Sequence, residues 1–422
     1  MIITLSNIPI FKQQALQWAK KFKVYCVFDS NNYIDKYSEF DFLLGADSVS
    51  RLEIYNNTLN AFEKLKNYKL NKKWLLGGLG YDLKNEIENL TSQNKDALNF
   101  PDLFFFEPKH LLILKGNTLT ITSNIAEYIY QQIIGIAPQK NIFTFNGQLK
   151  STFTNAQYIS TFNKILAHIN RGDIYISNFC IEFFAENVNI NPVWAFEALN
   201  KISPAPFANY FKWDDKYIIS ASPERFLAKR GNKIIAQPIK GTAKRNTDLA
   251  TDNQLKNDLK NDAKEQQENV MIVDLLRNDL TKSAKASTVN VEELFGIYSF
   301  AQVHQMISTV ACQAKPELDA VDIIKNTFPM GSMTGAPKLK AMEIIEQYET
   351  TKRGIYSGAV GYFAPNGDFD FNVIIRTMLY NASNKYLSFE VGSAITTNAN
   401  AQKEYEECLL KAEGILRVLG GS

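Results

Sequence analysis

Apolar and polar residues alternate in short runs through the second half of the chain. YIISAS and RFLAKR precede Gly231-Asn232, and KIIAQPI follows it. Farther on, IYSGAVGYFA and DFDFNVIIRTMLY flank Pro365-Asn366-Gly367, and YLSFEVGSAIT comes next. A period of two broken by Gly and Asn predicts hairpins, with Asn-Gly the stronger turn signal. Consecutive hairpins predict an antiparallel sheet instead of βαβ units. Three stretches carry the helical period. One runs roughly from Asn253 to Leu276. GAPKLKAMEIIEQY has Thr334 as N-cap and Pro337 in its first turn. QKEYEECLLKAEGILRVL sets Cys408, Leu409, Ala412, Leu416 and Leu419 on one face.

Up to about residue 145, strand-like runs (KVYCVF, FDFLL, HLLILKGNTLTI) mix with amphipathic stretches. NIFTFNGQLKSTFTNAQ is polar and reads as a connector, which divides the chain into 1–145 and 152–419. GGLGYD near Gly77 reads as a tight turn. There is no repeat of fixed period and no heptad pattern.

Composition narrows the class. Of 422 residues, 45% are hydrophobic and 21% charged, enough for a large core. A net charge of +2 gives no global field for nucleic acid or anionic membrane. Cys26, Cys180, Cys312 and Cys408 are scattered without a CxxC pair, against a zinc site or disulfide framework. MIITLSNIPIFKQQ lacks a signal peptide's apolar region, and no run approaches a membrane span. The expectation is a cytoplasmic protein with neither nucleic acid nor membrane as partner.

Within this frame a few residues are placed for chemistry. Lys240 ends an apolar run just before Gly241-Thr242. A two-residue turn at Gly231-Asn232 sets Glu224 opposite Ile239, and a one-residue bulge would set it opposite Lys240. A plain cross-strand salt bridge is the ordinary reading of that pair. An Asn366-Gly367 turn sets Tyr356 opposite Thr377, beside Arg376. Arg376 lies in the apolar run NVIIRTMLY and needs an anion, either a ligand carboxylate or an internal acid. Glu265 with Glu268, and Glu404 with Glu407, each share a helix face at a spacing of three. Singly, each pair reads as a solvated face; converging, they would need a cation, and oxygen-only ligands suit Mg²⁺. PMGSMTGAPK is a glycine-rich turn into a helix start, an anion cradle in outline but not a Walker loop. His304 in FAQVHQMIS reads alone as a satisfied core residue.

Taken in order, GDIY, SPERF, PIKGT, ENVMIVDLLRNDL, PMGSMTGAPKLKAMEII, RGIYSGAVGY, DFNVIIRT and EYEECLLKA resemble the chorismate-utilising enzymes. That family includes the large subunits of aminodeoxychorismate synthase and anthranilate synthase. The resemblance implies an α+β fold of two orthogonally packed antiparallel β-sheets with helices outside. Residues 1–145 would be an N-terminal subdomain, and 152–419 the chorismate-binding catalytic domain. PIKGT is similar to aminodeoxychorismate synthases, where anthranilate synthases have PIAGT. On that resemblance Lys240 attacks the ring of chorismate, Glu224 is the acid for the departing hydroxyl, and His304 lies near the leaving group. Glu268 and Glu407 would bind Mg²⁺, with Glu265 and Glu404 orienting its water. Tyr356, Arg376, Thr242, Ser332, Gly392, Ser393 and Ala394 would hold substrate. Ammonia would come from a separate glutamine amidotransferase subunit, in a heterodimer.

The N-terminal half of the family can bind tryptophan, and FLLGADS loosely matches its LLES pattern. This chain departs from the family with GSAI for GAGI or GGGI, Thr397-Asn398 for Asp-Ser, and TAKR for TRPR. Ile176 stands where isochorismate-forming relatives carry a water-activating lysine, against a water-adding activity. Anthranilate synthase and a non-catalytic chorismate- or amino-acid-binding paralogue are the alternatives.

Overall fold

The computed structural model describes residues 1–55, 59–70, 73–139 and 142–420. Asn141, where the expected connector begins, lies outside them. Helices and strands mix as expected, and the paired strands run antiparallel. Among the described residues, however, twenty strands join in one hydrogen-bonded network instead of two separate sheets.

The join is a long ribbon. Phe42–Ile54 and Leu103–Lys115 pair from end to end. The start of Phe42–Ile54 also pairs with Val24–Asp29, which continues to Phe207–Trp213. The start of Leu103–Lys115 pairs with Leu75–Leu79, which continues to Ala359–Phe363. Between these ends the ribbon shifts register at Ser48–Ser50, beside Asp47 at φ 59° and opposite Pro108. A bulge with an adjacent proline bends a strand pair, so one ribbon serves both halves of the sheet. The segments before 145 and after 152 therefore share strands.

Burial follows the alternation. In Val24–Asp29, Val24, Cys26 and Phe28 pack with Phe211, Ile218, Leu227 and Phe371 between the two halves of the sheet. Tyr25 and Val27 face the other way, toward Phe11, Phe162, Phe196 and Ile415 on the covering helices. Both faces are dry, which is why KVYCVF is apolar almost throughout.

Several local expectations change. GGLGYD is a turn only in its second half: Gly77–Leu79 end the strand Leu75–Leu79, and Tyr81–Leu83 form the turn. A Cβ on Gly77 would fall 2.0 Å from the Phe104 carbonyl oxygen, so glycine allows close backbone approach within the sheet. The helix expected over 253–276 is two helices, Leu249–Asn261 and Ala263–Thr281. Asp262 breaks them with extended backbone, and its carboxylate accepts the Glu265 N–H at 3.0 Å. The helix expected after Thr334 starts at Lys338, because Gly335–Ala336 first pairs with Ile176 and Ser177. Thr334 bonds back to the Met330 carbonyl and caps nothing. The last helix, Ala401–Val418, buries Cys408, Ala412, Ile415 and Val418, and also Glu404. Leu409 and Leu416 are only partly covered. No helix among the described residues is long and apolar enough to cross a membrane.

Candidate active site

The first hairpin keeps its expected register only near the turn. Arg230 faces Lys233 and Ala228 faces Ile235, but Arg225 faces Gln237. The extra residue lies in the Arg225–Arg230 strand, so the bulge carries Glu224 toward Pro238 and away from Lys240. Pro238 has no N–H to donate and ends the strand Lys233–Gln237. Ile239–Lys244 is a new strand, paired with Val303–Gln313. Lys240 thus opens a strand instead of ending one. Gly241, at φ 91°, follows it in the left-handed region where glycine is favoured.

Glu224 and Lys240 nevertheless line one cavity of about 560 Å³, a size typical of small-molecule sites. Its wall includes Ile239–Lys244, the helices Ala263–Thr281 and Ala401–Val418, and the strand Tyr386–Ile395. Glu224 is buried, and Ser332 Oγ donates to its Oε1 at 2.7 Å. Burial pushes the Glu224 carboxyl up to about 7, against the pull of the Ser332 hydrogen bond and the Lys240 ammonium. A carboxyl in that range can give or take a proton near neutral pH.

The second hairpin also differs by one residue. Ala359 pairs with Val373 and Phe363 with Phe369, closing a five-residue loop. Pairing stops at Val373, and Arg376 sits between strands with φ 54°. Its guanidinium has no ion pair or hydrogen bond among the described residues. Burial lowers its pKa, opposed by Tyr356 and Glu407. Arg376 and the buried Tyr356 both face the cavity. An unpaired guanidinium beside a phenol is a ready site for an anion.

The two acidic pairs do converge. Glu265, Glu268 and Glu407 line the cavity, and Glu404 lies buried behind them. Burial, with Glu268 and Glu407 nearby, pushes Glu265 up to about 7. Burial and Glu407 raise Glu404. Glu407 is lowered despite its burial, because Lys411, Lys264 and Lys240 are close. Lys264 Nζ donates to Glu404 at 3.0 Å and lies 3.6 Å from Glu268. With that ammonium among them, no three acidic, histidine or cysteine groups among the described residues form a preformed metal cluster. The donor set still fits a hard divalent cation. All donors are carboxylate oxygens, they repel one another, and the buried Glu268 Oε1 has no hydrogen-bond partner.

Thr242, Ser332, Gly392 and Ala394 line the cavity. Ser393 does not: its hydroxyl points into the core at 2.7 Å from the Tyr158 hydroxyl, as alternation along Tyr386–Ile395 requires. His304 is also a correction. It faces away from the cavity that its neighbours Val303 and Gln305 line. Its ring nitrogens meet Ser299 Oγ at 2.8 Å and Asp252 Oδ1 at 3.0 Å. Asp252, also held by Arg245 at 2.9 Å, fixes the ring there. Ile176 is likewise off the wall, where Asn178 stands instead.

The helix start after PMGSMTGAPK does not face the cavity. From that stretch only Ser332 and Met333 reach it, and Lys338 binds Asp279. A cavity of about 40 Å³ lies where Ser30 and Phe40 meet Phe207 and Tyr362, and one of about 740 Å³ is lined by Val49, Trp74, Lys109 and Thr122. Arg225, paired with Asp35 and Asp370, fills the interior beside the smaller one.

Two wall residues escaped the sequence reading. Lys411 Nζ donates to the Gly392 carbonyl at 2.8 Å and to Glu407 at 2.7 Å. Glu390 is a buried carboxyl on the cavity wall. Their spacing was the available signal. Lys411 lies four residues after Glu407 on one helix, and Glu390 two before Gly392 on one strand.

Comparison with known proteins shows the family. The family described as chorismate binding enzyme matches residues 13–417. Aminodeoxychorismate synthase component 1 of Escherichia coli is 34% identical, over 82% of this chain and 76% of that protein. The component 1 protein of Bacillus subtilis is 31% identical over the same shares. Anthranilate synthase component 1 of Cereibacter sphaeroides is 31% identical, over 81% of this chain and 73% of that protein. The crystal structure of anthranilate synthase component I from Streptococcus pneumoniae superposes with a TM-score of 0.78 at 25% identity, covering 88% of this chain and 91% of that one.

Proposed function

The chain belongs to the chorismate binding enzyme family, and within it we propose that it is an aminodeoxychorismate synthase large subunit. The observation that carries this reading is the sharing of one cavity by Lys240, Glu224, Arg376 and Tyr356 with Glu265, Glu268 and Glu407. Aminodeoxychorismate synthases resemble this chain in having lysine at PIKGT.

The reaction replaces the C4 hydroxyl of chorismate with an amino group. Lys240 Nζ bonds to ring C2, the two double bonds shift, and the C4 hydroxyl leaves as water with a proton from Glu224. Ammonia then bonds to C4, the double bonds shift back, and Lys240 departs as a free amine. Arg376 and Tyr356 grip one substrate carboxylate, and Thr242, Ser332 and the backbone at Gly392 and Ala394 position the rest. Glu268 and Glu407 would hold Mg²⁺, with Glu265 and Glu404 ordering its water. The ion, when bound, neutralises the second substrate carboxylate. His304 acts from behind the wall, through the strand Val303–Gln313, instead of touching the ring.

Ammonia comes from a separate glutamine amidotransferase subunit. Burial raises all four thiols here, so none is an apt glutaminase nucleophile.

One assay tests the reading. Protein, chorismate, Mg²⁺ and ammonium, followed by a 4-aminodeoxychorismate lyase, should yield 4-aminobenzoate; anthranilate as product would move the chain to the anthranilate synthases. Without ammonium, intact mass should show a chorismate-derived adduct that Lys240→Ala lacks.

A further inference from the structure

Glu390 is a buried acid whose side chain has no partner among the described residues, and the mechanism above does not use it. It is 5% exposed and lines the cavity in the strand Tyr386–Ile395, two residues before Gly392. Its carboxyl makes no hydrogen bond or ion pair among the described residues. On the cavity wall, that carboxyl can take its hydrogen bond from whatever occupies the cavity.

The surroundings decide its charge. On the paired strand, Glu182 lies directly opposite and Cys180 two residues away. Glu182 Oε1 accepts from Tyr386 at 3.0 Å, and its Oε2 is unpaired. After the helix Lys338–Tyr348 come Glu349, Arg353 and Tyr356; Asp82 faces in from the short turn Tyr81–Leu83. Arg353 is the cation here, and Glu349 already takes it in a two-pronged pair at 2.6 and 2.8 Å. Burial, then Glu182 and Glu349, raise the Glu390 pKa well above the ordinary carboxylate range, with Arg353 only partly opposing. A neutral carboxyl is a hydrogen-bond donor, whereas an ionised one would repel an anionic substrate.

We propose that Glu390 is a substrate-binding residue that donates a hydrogen bond, as the neutral acid, to an oxygen of chorismate at the Tyr356 end of the cavity. This rests on the proposed function only in taking chorismate as the ligand. Tyr356 lies near Glu390, and both line the cavity with Arg376, so the phenol and the carboxyl offer two donors to one anionic oxygen cluster.

The test is chorismate binding, measured by calorimetry from about pH 6 to about pH 9, on wild type and Glu390→Gln. Glutamine keeps an N–H donor but cannot ionise. Glu390→Gln should hold wild-type affinity where the acid is neutral, and any change of the wild-type to variant ratio with pH should be a fall as pH rises. Glu224 and Glu265 are common to both proteins, so their contributions cancel in that ratio. Glu390→Ala should bind about tenfold more weakly at the acid end, the loss of one donor to a charged oxygen. An alanine variant that binds like wild type overturns the assignment, as does a glutamine variant that binds as weakly as alanine. Binding is read instead of product, so either result leaves the identity of the reaction product open to the separate assay above.

Discussion

At the scale of single residues, the proton account of the site turns on Glu224. Its carboxyl is pushed up to about 7 by burial, and in the proposed reaction it would serve as acid only while protonated. Compared at each pH with Glu224→Gln, which attacks with the same neutral Lys240 amine, the rate of adduct formation should therefore decline as pH rises through about 7. Glu224→Gln should lower that rate about 10²–10⁴-fold and remove this limb of the profile. Stopped quench with intact-mass readout over a pH series checks both, and a variant with an unshifted profile removes Glu224 from the acid role. Motif residues of this kind were readable in the sequence because each stands in a short, distinctive string. Lys411 and Glu390 were not, because a lysine in an amphipathic helix and a glutamate in a strand look ordinary until the partner elements are placed. Ser393 and His304 show the converse. Both lie in recognisable strings, but each occupies the strand face turned from the cavity, where Tyr158 and Asp252 hold it.

At the scale of elements, hairpins and helices were legible and their registers were not. A turn dipeptide sets pairing only as far as the first bulge, and the Arg225–Arg230 strand bulges within five residues of the turn. The break at Asp262 was hidden inside a polar helical run. It matters because it starts a helix three residues before Glu265, aiming Glu265 and Glu268 from the first turns. Asp262→Ala should remove the cap accepted from Glu265 N–H, costing about 1 kcal/mol of stability. If the cap positions the acidic pair, the same variant should need more Mg²⁺ for half-maximal activity. Denaturant melts and a Mg²⁺ titration separate the two effects. Lost stability with an unchanged Mg²⁺ requirement would reduce Asp262 to a structural cap.

At the scale of the whole molecule, the sheet closes around its ribbon and brings together carboxylates far apart in sequence. No local pattern announces that closure, since the pairings of Val24–Asp29 with Phe207–Trp213 and of Leu75–Leu79 with Ala359–Phe363 span most of the chain. The closure leaves acids buried with raised pKa values, Glu265 and Glu224 at about 7 and Asp82 at about 6. The folded protein holds protons there that the unfolded chain, with ordinary carboxylates near about 4, has released. Between those limits these groups lend stability at low pH that is lost as pH rises through their folded values. Asp252 and Asp173 are depressed and titrate below this window. A divalent cation competes with the proton on Glu265 and with the Lys264 ammonium beside Glu268 and Glu404. Its stabilising effect should therefore grow with pH. In chelator-treated protein, adding Mg²⁺ should raise the melting temperature more at about pH 8 than at about pH 5.5. Glu268→Gln should melt cooperatively but show no such gain. Equal gains at both pH values, or a gain that survives Glu268→Gln, would place the ion elsewhere than among these four glutamates.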